Sequence, residues 1–130
     1  MLSASFTLRT RERVEMRIIT AEVQKALASI GAADGICTIY TPHTTSAISI
    51  NESADPDVLS DLARAFQAMV PDVRFDHGEG NSDAHLLSTI VGASTSVPVQ
   101  GGKLKLGRWQ GIYFLEFDGP RQREVQVYLP

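Results

Sequence analysis

W-Q-G-I-Y-F-L-E-F, Trp109 to Phe117, carries apolar side chains on both of its alternating faces. A strand with one wet side is apolar at every second position only, whereas one covered on both sides reads as a near-continuous apolar run. The stretch therefore predicts a central strand in a layered sheet structure. The turn residues Asp118-Gly119-Pro120 follow, and then R-Q-R-E-V-Q-V-Y-L, in which Arg121, Arg123, Val125, Val127 and Leu129 share one face. These two strands read as a hairpin, with Glu116 on the same face as Ile112 and Phe114.

Further strands are predicted outward from this pair. T-S-V-P-V-Q and K-L-K-L precede it, S-F-T-L-R and V-E-M-R-I-I lie near the start, and Ile36 to Thr41 follows the turn Asp34-Gly35. T-P-H-T-T-S-A-I-S-I-N-E, Thr41 to Glu52, starts as a loop and continues as a half-buried strand. Three helices are expected. Thr20 can cap the first, with Val23, Ala26, Leu27 and Ile30 on one face and Gly31 as its stop. Asp55 and Pro56 start the second, in which Val58, Leu59, Leu62, Phe66 and Met69 recur at helical spacing. The third follows a short strand at Arg74-Phe75-Asp76 and a glycine-containing loop, with Leu86, Leu87, Ile90 and Val91 facing inward. The sum is one α+β domain over residues 1–130, a mostly antiparallel β-sandwich with about three flanking helices.

Composition removes several classes of function. A net charge of −3 gives no general attraction to nucleic acid or anionic membrane. The start of the chain contains no apolar segment long enough for a signal peptide or a membrane span, so a cytoplasmic protein is expected. The single cysteine, Cys37, excludes an intramolecular disulfide and sits in an alternating apolar run, where a small core residue is expected. Nine of the twelve basic residues are arginines, whose forked donors match phosphate and carboxylate oxygens.

The three histidines, His43, His77 and His85, all lie beside polar or glycine-rich stretches. Three imidazoles with an open fourth position form a recurring site for a zinc-like ion. His85 is one helical turn after Asn81, so both can project to one side. Glu52 ends the strand that begins near His43 and is expected to point inward at the rim, where a partly desolvated carboxylate needs a partner. Asp57 and Asp61 read as a solvated helix face. Arg121 and Arg123 are placed by alternation at the mouth of an apolar layer; Glu116 can pair with one, leaving the other for an anion. Trp109 is expected in the core.

Four separated motifs carry a resemblance: H-T-T-x-A-x-x-I-N-E from His43, N-S-D-A-H-L from Asn81, G-K-L-x-L-G-x-W-Q-x-I from Gly102 and E-x-D-G-P-R-x-R from Glu116. Together they resemble the YjbQ family, whose members are described as secondary thiamine-phosphate synthases. The resemblance implies a β-sandwich fold, a homotrimer and a site drawn from His43, Thr45, Asn51, Glu52, His77, Asn81, His85, Gln110 and Arg121. It implies an activity that joins a pyrimidine-methyl diphosphate to a thiazole phosphate and releases diphosphate. In that reading His43, Glu52, His77, Asn81 and His85 are catalytic candidates, and Thr45, Asn51, Gln110, Arg121 and Arg123 hold a small phosphorylated substrate. A divalent ion is expected, zinc-like at the three histidines, or magnesium on a diphosphate. The alternatives are a metal-dependent hydrolase or lyase and a non-catalytic trimeric anion-binding protein. No RNA-binding motif is present, so a nucleic-acid partner is not expected.

Overall fold

A computed structural model describes residues 1–130. Eight strands and three helices follow in the order β1 (Leu2–Arg9), β2 (Glu15–Ile18), α1 (Thr20–Ser29), β3 (Gly35–Tyr40), β4 (Ser46–Glu52), α2 (Pro56–Ala68), α3 (Ser82–Val91), β5 (Ser94–Gln100), β6 (Lys103–Leu104), β7 (Gln110–Glu116) and β8 (Gln122–Leu129). They form a five-stranded sheet, β1-β8-β3-β5-β6, and a three-stranded sheet, β2-β7-β4. Every pairing is antiparallel. The expected α+β sandwich with three helices is the architecture found.

β7 accounts for the layering. Ile112 and Phe114 face the larger sheet and join Cys37, Ile39, Val97, Val125, Val127 and the α1 residues Val23 and Leu27 in one core. Tyr113 and Leu115 face the other way and pack with Met16, Ala47, Ala84 and Leu87, against which Leu59, Leu62 and Phe66 of α2 lie. The small sheet is thus the middle layer, and α2 and α3 form the outer one. Cys37 is fully buried, and burial pushes its thiol pKa up.

The turn at Asp118-Gly119-Pro120 does not make a hairpin. β7 already has β2 on one edge and β4 on the other, so the chain crosses to the larger sheet and β8 enters between β1 and β3. Gly119 is required at this crossing, since a Cβ there would sit 2.2 Å from the Glu12 carbonyl oxygen. Helix caps follow expectation only in part. The Asp55 side chain accepts from Asp57 N, and Gly31, with φ of 64°, follows the end of α1. The Thr20 hydroxyl instead accepts from Ile112 N at 2.9 Å, tying α1 to β7.

Three further expectations are corrected. Residues 74–76 form no strand, because the whole span 71–80 is irregular and exposed. Ile90 is exposed, and the inward face of α3 is Ala84, Leu87 and Ser88. Trp109 is 56 % exposed, with the Arg108 guanidinium 4.8 Å from its ring centroid. It precedes the first residue of β7 and so escapes the strand's burial. Asp57 and Asp61 are exposed, as a solvated face should be.

Candidate functional site

The sandwich opens at one end into a hollow of about 600 Å³ with no hydrophobic side chain in its wall. All three histidines line it, together with Thr45, Asn81, Asp118, Arg121 and Arg123. The loop before β4 brings His43 and Thr45, the irregular span before α3 brings His77, and α3 brings His85 and, at the position that caps its start, Asn81. The crossing turn brings Asp118 and Arg121.

Arg123 forms the floor, with Glu116 buried beneath it. β7 and β8 lie in different sheets, so their inward faces oppose each other across the core, and the two side chains meet at its end. Arg123 Nε donates to Glu116 Oε1 at 2.8 Å and its Nη2 to Glu116 Oε2; the residues are 4 % and 0 % exposed. Nη2 also donates to the Thr45 hydroxyl at 2.8 Å, and the Thr10 hydroxyl donates to Glu116 Oε1 at 2.6 Å. Arg123 and Thr45, expected on the substrate, are thus occupied within the protein. Arg121 is the exposed arginine. It lies one residue before β8, so the alternation that aims Arg123 inward does not reach it.

Arg121 Nη2 donates to Asp118 Oδ2 at 3.0 Å, and Asn81 Nδ2 donates to the same oxygen at 2.9 Å. Burial works against a charged Asp118. The hydrogen bonds from Asn81 and Arg121 and the charges of Arg121 and Arg13 outweigh it and hold the carboxyl below the usual carboxylate range. With Nδ2 committed, Asn81 Oδ1 is buried and has no donor.

His43 Nε2 accepts from Glu124 N at 2.9 Å, which puts the proton of the neutral ring on Nδ1. Burial, helped by the Arg123 charge, lowers the His43 pKa, while Glu116 and Glu124 pull weakly the other way. The ring is therefore neutral near pH 7. The rings of His77 and His85 meet edge to face, with centroids 5.6 Å apart. No three histidine, cysteine or acidic side chains are grouped closely enough to hold a metal ion. The three-histidine set is therefore not assembled as it stands: two imidazoles are adjacent and the third spends a nitrogen on backbone.

Asn51, Glu52 and Gln110 are not in this hollow. They line a separate one of about 210 Å³ with Trp109, at the far end of β4. At about 3.4 Å per residue, Glu52 lies roughly 20 Å along the strand from Ser46. Its carboxylate accepts from Ala54 N at 2.8 Å rather than pointing into the sandwich. Sequence reasoning missed Asp118, Glu79 and Thr44 as wall residues. Asp118 had a signal, since a turn three residues before a candidate anion-binding arginine lies beside whatever that arginine binds.

These features define a class: an antiparallel β-sandwich with α2 and α3 covering the smaller sheet and a histidine-lined polar hollow at its end. Residues 4–129 match the family model described as UPF0047 protein YjbQ-like, and the chain belongs to that family. It is 52 % identical over 122 residues to UPF0047 protein YugU of Bacillus subtilis, covering 92 % of each chain. A UPF0047 protein of Methanocaldococcus jannaschii is 46 % identical over 123 residues, 94 % of this chain and 89 % of that one. Two crystal structures superpose closely. An uncharacterized conserved protein of Clostridium acetobutylicum has a TM-score of 0.92 at 44 % identity, over 98 % of this chain and 99 % of that one. A hypothetical protein of Aeropyrum pernix gives 0.93 at 38 %, over 100 % and 98 %. No helix is long and apolar enough to cross a membrane.

Proposed function

We propose that this protein is an enzyme acting on a phosphorylated small molecule held in the larger polar hollow. The observation that carries the reading is the meeting of all three histidines with Arg121 in one wall free of hydrophobic side chains. An apolar substrate finds little there, whereas a phosphate finds the exposed Arg121 guanidinium, held in place by Asp118, and a neutral imidazole N–H. Donors fixed in this way stabilise charge that develops on a departing phosphate group. His77 and His85 supply imidazoles that can give or take a proton beside it.

The test is calorimetric titration with inorganic pyrophosphate. Arg121→Ala is expected to weaken binding by roughly ten- to a hundredfold, one charge-assisted hydrogen bond of about 1.5–3 kcal/mol. Arg121→Lys should restore only part, since the ammonium keeps the charge but not the fork. Unchanged affinity in Arg121→Ala would remove the anion from the argument. The finer reading, taken from the resemblance, is the joining of a pyrimidine-methyl diphosphate to a thiazole phosphate. Incubation with both precursors should then yield thiamine phosphate and diphosphate, and binding without product would exclude that reaction.

A second reading adds a divalent ion. The adjacent pair His77 and His85 favours it, with the substrate's phosphate oxygens as the remaining ligands and His43 outside the set. Such an ion would supply Lewis-acid charge to the phosphate. Elemental analysis of chelator-free protein should find metal lost in His77→Ala and His85→Ala and kept in His43→Ala. Equal content in all three variants would reject this site.

We propose, finally, that the protein is a homotrimer. The separation of Asn51, Glu52 and Gln110 from the histidines within one chain favours an assembly in which one subunit's far end meets its neighbour's hollow. Light scattering at micromolar concentration should report three chains, and a monomer would refute the assembly.

A further inference from the structure

A second hollow, of about 400 Å³, adjoins the first and shares His43, Thr44 and His85 with it as a partition. Its volume falls within the ordinary small-ligand range of roughly 300–1,000 Å³. Its chemistry differs. The first hollow holds Arg121, Asp118 and Glu79, whereas the second contains no acidic residue, lysine or arginine and is lined by Thr44, Ser46, Ser88 and Thr89, of which Ser46 bonds Thr41 and Thr89 donates to the His85 carbonyl oxygen.

One of these hydroxyls is unsatisfied. Ser88 is 8 % exposed, and its Oγ is buried without a hydrogen-bond partner. A desolvated hydroxyl left unpaired costs stability, so its place on the wall of a hollow points to a partner that arrives from outside. Asn81 Oδ1, on the wall of the first hollow, is the only other such side-chain atom. Asn81, His85 and Ser88 are spaced by four and then three residues, so they share one face of α3. That face sets Asn81 in the wall of the first hollow, His85 in the partition and Ser88 in the wall of the second.

We infer that the second hollow is a compartment of the same site, and that it takes the neutral, hydroxyl-bearing body of a phosphate monoester whose phosphate lies in the first. The inference rests on the anion reading of the first hollow and names the substrate class for it. The ester oxygen then lies at the partition, beside His43 and His85.

The experiment compares methyl phosphate, which has no body, with glycerol 3-phosphate by calorimetry. Glycerol 3-phosphate is expected to bind roughly three- to tenfold tighter, the return on one or two net hydrogen bonds. Ala93→Leu adds bulk at an exposed wall position of the second hollow and should bring the ratio of the two affinities toward one. Ser88→Ala should lower the ratio as well, while raising the melting temperature of the free protein because an unpaired buried hydroxyl is gone. A purely structural serine would lower the melting temperature and leave the ratio unchanged. Equal binding of the two esters by the wild type, or an advantage that survives both variants, overturns the compartment and leaves the anion site standing. If neither ester binds, the anion site and the compartment both fall.

Discussion

Arg123→Ala is expected to lower folding stability by about 3–5 kcal/mol, the usual cost of leaving half of a buried ion pair behind. Glu116 is fully enclosed, and four donors converge on it: Thr10 Oγ1, Arg123 Nε and Nη2, and Asp118 N at 3.2 Å. Removing the guanidinium strips two of these bonds and the only cation in contact with it. The charge then sits between two sheets without compensation. A domain of this size has about 5–15 kcal/mol of total stability, so the variant loses a large part of it. Urea unfolding followed by far-ultraviolet circular dichroism measures the change. Arg123→Met with Glu116→Leu should recover much of the loss, because neither charge remains to be buried. A single-variant loss below about 1 kcal/mol, typical of exposed pairs, would mean that the pair is wet and not the floor described.

The second large effect belongs to adjacent residues of β7. Phe114→Ala is expected to cost about 3–5 kcal/mol and Leu115→Ala about 2–5 kcal/mol. Phe114 and Leu115 are 0 % and 2 % exposed, yet they belong to opposite cores. A strand with one covered face gives a different result. On β8, Val127→Ala should be costly, while its half-buried neighbour Gln126→Ala, which loses the hydrogen bond from Tyr128 Oη, should stay within about 1.5 kcal/mol. Chemical denaturation of the four variants decides the matter. A small effect at either β7 position would dismantle the three-layer arrangement.

That contrast shows what a sequence of this kind discloses. The unbroken apolar run of β7 reports burial on both sides, so the layering was legible without coordinates. The turn after it reported a change of direction but not the destination. Whether the next strand pairs with β7 or joins another sheet depends on β2 and β4 already filling both edges of β7, which is a tertiary fact. The same limit explains the arginines. Alternation placed Arg123 correctly and failed for Arg121, because the strand starts one residue later than the pattern suggests. The motif around each histidine signalled a common site, and the three do line one hollow. Motif membership could not separate them from Asn51, Glu52 and Gln110, since residues joined by a short run of sequence can stand at opposite ends of a strand. Ser88 carried no signal of its own. A serine on a helix is unremarkable until its hydroxyl is found buried without a partner.

The order of strands has a consequence for how the protein is made. β7 is the middle strand of one sheet and β8 is an interior strand of the other, joining β1 to β3. Both come from one segment, residues 110–130. Until that segment has left the ribosome, β2 has no sheet to join, β1 has no partner, and β4 lacks the neighbour that sets its register. A nascent chain of this kind can pair β3, β5 and β6 early, but carries β1, β2 and β4 unpaired until this segment is made, and then closes both layers together. Completion of the domain therefore waits for this segment, is slow for the domain's size because its contacts join residues far apart in sequence, and is exposed to aggregation beforehand. The turn bearing Asp118 and Arg121 lies inside the same closing segment, so the site comes into being in the step that completes the fold.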